Sequence, residues 1–244
     1  TNNGPNCLHG GSHGWDKKLW NGKEVEGKAA VTMTLESPDG DEGFPGAVSA
    51  QITYTLTTEN ELRLDYSATT TKPTPISLTN HTYWNLSGNC KENILKHRLK
   101  MSCNEYLPVN ETSIPSGGPA KVDGTPFDFR QEHGIGDRIH DIGGDPGGYD
   151  HCYVIDKGSS SGSNELRNVA ELECPTSGRT MSVSTDQPGV QLYTGNYLDG
   201  DGLHKKHGAM CLETQAYPDA INQWPTQVIL KPGTVWSSTT VHKF

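Results

Sequence analysis

No stretch of this sequence comes near the roughly 20 consecutive apolar residues that a membrane-crossing helix needs. The mean hydropathy is -0.65, so no segment reads as a helical anchor. Positive charge is scarce: 20 Lys and Arg stand against 29 Asp and Glu, a net charge of -9. That balance repels nucleic-acid phosphates and anionic membrane surfaces and leaves a neutral small molecule as the easier ligand. The six cysteines (Cys7, Cys90, Cys103, Cys152, Cys174 and Cys211) lie far apart without a Cys-x-x-Cys pair. Neither a zinc ribbon nor a small disulfide framework is indicated, and a reducing, cytoplasmic home is the simplest. Sequons at Asn80, Asn85 and Asn110 point the other way, but glycans at the first two would crowd the histidine discussed below. Long amphipathic helices are missing too; only 125–130 and 134–139 read as short helical turns.

What is present in quantity is turn chemistry, 28 Gly and 15 Pro among 244 residues, interleaved with short β-branched runs. This is the punctuation of an all-β protein, and the length suits one large domain spanning 1–244. Strands are expected at 29–35, 50–56, 62–68, 97–103, 169–173, 181–185, 189–193, 209–214, 228–230 and 236–241. Ile52, Tyr54 and Leu56 should share one face, as should Leu62, Leu64 and Tyr66. The Gly/Ser run 157–164 reads as a hairpin loop. Asp39, Asp41 and Glu42 lack EF-hand spacing and read as a solvated loop rather than a calcium site.

The chain is organised around 76–88, ISLTNHTYWNLSG. It starts as an alternating strand and then presents Asn80, His81, Tyr83, Trp84 and Asn85 in close succession. Imidazole moves protons near neutral pH, amides both donate to and accept from hydroxyls, and aromatic faces cover the C–H patches of a sugar. Further along, Asp150 and His151 stand where a glycine-rich loop enters an apolar strand. Gln191 alternates against Val190 and Leu192, and Glu213 ends an apolar run. A carboxylate leaving a buried strand is costly unless it is paired or used. His9 precedes two glycines that let backbone approach a ligand closely.

Six ordered motifs resemble the aldose 1-epimerase family over essentially the whole chain. They are NGPNCLHGG at 3–11, SPDG at 37–40 running on to Gly46, LTNHTYWNL at 78–86, YDH at 149–151, QPGVQLYTGN at 187–196 and CLETQAYPDAIN at 211–222. The resemblance implies a large antiparallel β-sandwich of the galactose mutarotase-like supersandwich type, with an open sugar cleft. The chain would begin after the family's usual first strands and their sugar-contacting Asn-Arg pair. The resemblance also implies roles: Glu213 as general base on the anomeric hydroxyl and His81 as general acid on the ring oxygen. His9, Asp150, Gln191 and Asn80 would bind the sugar. Such chemistry needs no metal and no nicotinamide cofactor. The implied partner is a small aldose, with no nucleic acid or membrane involved, acting on a monomer or weak dimer. Three rival readings are a non-catalytic carbohydrate-binding sandwich, a glycoside hydrolase pairing Asp150 with Glu213, and a sugar-phosphate epimerase. The last would need extra Arg or Lys near His9 and His81, where the sequence has few.

Overall fold

A computed structural model describes residues 1–88, 92–144, 146–156, 165–199 and 204–244. The strands in chain order are β1 Asn21–Glu24, β2 Ala30–Ser37, β3 Val48–Leu56, β4 Glu61–Thr70, β5 Thr74–Pro75, β6 Arg98–Met101, β7 Glu105–Tyr106 and β8 Ala120–Lys121. They continue with β9 His133–Gly134, β10 Asp150–Val154, β11 Arg167–Cys174, β12 Arg179–Thr185, β13 Gly189–Tyr193, β14 Cys211–Gln215, β15 Ile229–Leu230 and β16 Trp236–Lys243. The fold is all-β and antiparallel, with two compact units.

The first unit holds residues 1–78, 109–115 and 218–239. Its centre is the meander β1-β2-β3-β4. Ile52 lies opposite Tyr66, Tyr54 opposite Leu64 and Leu56 opposite Leu62, which puts both expected apolar sets on one face. The acidic loop spends its carboxylates on neighbours. Asp39 pairs with Lys72 and accepts from the Gly46 N–H, Asp41 pairs with Lys18 and accepts from the Ser37 hydroxyl, and Glu42 accepts from the Ser12 N–H.

The second unit holds residues 79–108, 116–217 and 240–244. One of its layers has the order β16-β12-β11-β6-β9 and the other the order β14-β13-β10-β7-β8. Between them lies one apolar core, with Leu99, Met101, Leu172, Met181 and Val183 from the first layer and Tyr153, Val190, Leu192 and Leu212 from the second. Sheets pack this way because alternation turns every second side chain inward.

Three expectations need correction. Residues 76–80 do not form a strand: β5 stops at Pro75 and the chain runs on as extended coil. Ile76 N–H still donates to Val228 O at 2.8 Å, but Asn80 Oδ1 then accepts from Thr82 N–H at 3.2 Å. That local turn competes with any ladder. Pairing resumes only at Trp84, which exchanges two backbone bonds with Met210. The helical expectation is met at 134–139 by 3-10 turns, Ile135–Asp137 and Ile139–Ile142, but residues 125–130 form turns only. A four-residue α-helix at Ala220–Gln223 was not anticipated. The hairpin-loop reading of 157–164, and Cys90, lie outside the described residues. No helix is long and apolar enough to cross a membrane, among the described residues.

Candidate active site

The site is built on one face of three neighbouring strands. Register places Asp150 opposite Tyr193, Gln191 opposite Glu213 and Tyr193 opposite Cys211. With a two-residue period, Asp150, Gln191, Tyr193, Cys211 and Glu213 all leave the sheet on the same side. The intervening Val190, Leu192 and Leu212 go into the core. Gln191 thus faces away from its two apolar neighbours, as its alternation predicts, and its Nε2 donates to Asp150 Oδ1 at 2.7 Å.

The entry to β10 is fixed by a lock on Tyr149. Its N–H donates to Thr194 Oγ1 at 3.0 Å, and its carbonyl accepts from Thr194 N–H and Asn196 Nδ2 at 3.1 and 3.0 Å. Gly148 has φ 125°, and a Cβ there would overlap Asn196 Oδ1. Only glycine fits this close approach, which sets where Asp150 begins the strand.

His81 arrives on the coil between β5 and the Trp84 bridge. Its Nε2 stands 3.4 Å from Glu213 Oε1, and its Nδ1 stands 3.4 Å from Cys211 Sγ. The ring is flanked by Tyr83 at 5.1 Å and Tyr193 at 6.3 Å between centroids. Asn80 shapes the coil just before His81, since its Oδ1 accepts from both the N–H and the hydroxyl of Thr82. His9 belongs to the first unit, in a tight loop where it adopts φ 53°. Its place in the site rests on the sequence resemblance.

Glu213 is 7 % exposed. Burial, and then the Asp150 charge, push its carboxyl up to about 8. The direction follows from the cost of an anion in a dry place beside another anion. Tyr83 is pushed up to about 12, chiefly by burial, so its hydroxyl stays a donor. Tyr193 moves the same way for the same reason, while its oxygen accepts from Tyr197 N–H at 3.0 Å. Cys211 and Tyr193 escaped the sequence reading. The signal was available, because each lies two residues from a flagged position, Glu213 or Gln191, and so shares its face.

His81, Cys211 and Glu213 also offer metal-ligand atoms within 4.8 Å of one another, a grouping otherwise absent among the described residues. Cys211 faces one ring nitrogen and Glu213 the other, however, so one ion could not take all three without the ring turning.

A family model of aldose 1-epimerases matches residues 1–243. Human galactose mutarotase is 42 % identical over 251 aligned positions, covering 100 % of this chain and 70 % of that protein. Aldose 1-epimerase of Escherichia coli K12 is 35 % identical, covering 99 % of this chain and 71 % of that protein. Among solved structures, an aldose epimerase homologue from C. elegans aligns with TM-score 0.87 at 29 % identity, over 99 % of this chain and 73 % of that one. Galactose 1-epimerase from Lactobacillus acidophilus aligns with TM-score 0.86 at 30 % identity, over 99 % and 70 %.

Proposed function

This chain belongs to the aldose 1-epimerase family, and we infer from that membership that it interconverts the α and β anomers of aldohexoses such as galactose and glucose. It is an isomerase of the mutarotase type. The observation that carries the assignment of roles is the contact of His81 Nε2 with Glu213 Oε1 at 3.4 Å. Two such groups side by side support this reading, because a hemiacetal carbon carries two oxygens for them to serve, the hydroxyl and the ring oxygen.

Glu213, ionised, takes the proton of the anomeric hydroxyl while His81 gives a proton to the ring oxygen. The C1–ring oxygen bond breaks and C1 becomes a free aldehyde. Rotation about C1–C2 exposes the other carbonyl face, and closure runs the two transfers in reverse, so no proton is consumed overall. Holding acid and base in place is typically worth 10²–10⁴-fold over the same transfers in water. Asp150 and Gln191 grip sugar hydroxyls, as does the Asn80 amide, and His9 stabilises charge near the ring oxygen. The exposed Tyr83 ring offers an apolar face to the sugar's C–H patch.

The described cysteines are free thiols, four buried and Cys7 exposed. This supports the reading of a reducing, cytoplasmic setting, and we read the assembly as monomer or weak dimer. The test of function is polarimetry on freshly dissolved α-D-galactose or α-D-glucose. Relaxation to the anomeric equilibrium should accelerate in proportion to protein added. Relaxation at the rate of buffer alone would overturn the assignment.

A further inference from the structure

We propose that Cys211 is a positioning residue for this reaction: its thiol donates to His81 Nδ1, which leaves the ring proton on Nε2, the nitrogen that faces Glu213 and the substrate. The inference rests on reading His81 as the acid, here acting from the neutral ring through its Nε2–H, and it adds that the S–H bond to Nδ1 both holds that hydrogen on Nε2 and supports the ring as the hydrogen leaves for the ring oxygen.

The geometry has two halves. Cys211 opens β14, is fully buried, and its Sγ lies 3.4 Å from His81 Nδ1, within the range of a sulfur hydrogen bond. Among the described residues this is the only hydrogen bond recorded for that thiol. Across the ring, Nε2 lies against a carboxyl oxygen. A neutral imidazole has one donor and one acceptor nitrogen, and the partner at each end decides which is which. A thiol is a weak donor but an even poorer acceptor, whereas an imidazole lone pair is a strong acceptor. The thiol also keeps its proton, because burial and then the charges of Glu213 and Asp150 push its ionisation far up. With Glu213 ionised, the state in which it serves as base, both ends therefore favour hydrogen on Nε2 and a lone pair on Nδ1. Groups behind metal-bound histidines set the tautomer in the same manner, and their loss commonly costs 10–100-fold.

Three variants and two readouts test the proposal. Cys211→Ala removes the donor, Cys211→Ser keeps a hydroxyl donor in its place, and His81→Asn reports on the acid role itself. The first readout is the ¹⁵N–¹H correlation spectrum of the His81 ring, identified by its loss in His81→Asn. It should show the Nε2–H tautomer in the parent and in Cys211→Ser, and a mixture or the other tautomer in Cys211→Ala. The second is mutarotation kinetics, where Cys211→Ala should lower kcat about 10-fold with KM little changed, and Cys211→Ser should recover most of it. An Nδ1–H tautomer in the parent would overturn the proposal, as would Cys211→Ala leaving tautomer and kcat unchanged. Equal losses in Ala and Ser with the tautomer unmoved would reduce Cys211 to a packing residue and also defeat it. Should His81→Asn keep parental activity, the acid assignment fails, and the ring spectrum still decides the tautomer separately.

Discussion

Asp150 acts on the site through charge as well as through its bond to Gln191. It is the second cause, after burial, of the raised Glu213 carboxyl. Asp150→Asn keeps an oxygen for Gln191 Nε2 but removes the charge, so Glu213 should ionise at lower pH. In the parent, kcat/KM is expected to climb with pH toward about 8, where the free enzyme's base becomes ionised. In Asp150→Asn this acidic limb should move to lower pH, whatever happens to KM. A pH–rate series on both proteins checks it, and an unmoved limb contradicts it. Glu213 itself makes a second, opposite prediction about stability. Its folded value of about 8 lies above the ordinary 4.5, so the folded protein holds a proton that the unfolded chain has already lost between those values. That contribution is complete below about 4.5 and disappears as pH rises through about 8. Relative to the parent, Glu213→Gln should therefore gain stability on going from pH 5 to 8.5, by as much as about 4 kcal/mol. Urea denaturation at the two pH values measures it, and a gap that does not change with pH would contradict it.

At the scale of elements, the entry to β10 depends on Gly148. Alanine there would meet Asn196 Oδ1 and Thr194 Oγ1 and would have to hold φ near 125°. Strain of about 1–3 kcal/mol and a broken buried hydrogen bond of about 1–3 kcal/mol should together lower stability by roughly 2–6 kcal/mol. Because the lock sets where Asp150 leaves the loop, KM should rise as well. Chemical denaturation and kinetics of Gly148→Ala check both, and an unperturbed variant would show that the lock does not position the strand. Strands of this kind were legible from sequence where alternation was clean. Residues 189–193 carry the pattern end to end, and β13 is Gly189–Tyr193. Residues 76–80 alternate equally well yet form no strand, because the Asn80 side chain takes over local hydrogen bonding that a sequence pattern does not display. Of the site candidates named from sequence, the fold brings His81 against Glu213 and Gln191 against Asp150. The Cys211 contact was not legible, since it joins residues 130 positions apart and depends on register between strands.

At the scale of the second unit, three histidines govern acid stability, His97 and His242 buried and His151 half-buried. His151 and His242 are each driven down to about 4 by burial, and His97 is lowered for the same reason while its Nε2 accepts from Leu86 N–H at 3.0 Å. Each is neutral when folded and takes a proton near 6.5 when unfolded, so each contributes stability that is present above about 6.5 and lost as pH falls toward its folded value. Glu213 opposes them by one proton over the same window. Set against Glu213, His151 and His242 leave a balance of about one proton, roughly 1.4 kcal/mol per pH unit, and His97 adds to it in the same direction, so unfolding free energy should fall as pH drops from 6.5 to 4.5. Denaturation midpoints across that range would reveal the slope, and a flat profile would contradict the burial argument.

The claim at the centre is that Glu213 and His81 act as one acid–base unit, and a double-mutant cycle read by polarimetry tests it most directly. In folded protein, Glu213→Gln should cost on the order of 10²–10⁴ in kcat, His81→Asn a similar amount, and the double variant little more than the worse single one. Glu213→Gln retaining activity within a few-fold of the parent, or losses that simply multiply in the double variant, would contradict the claim.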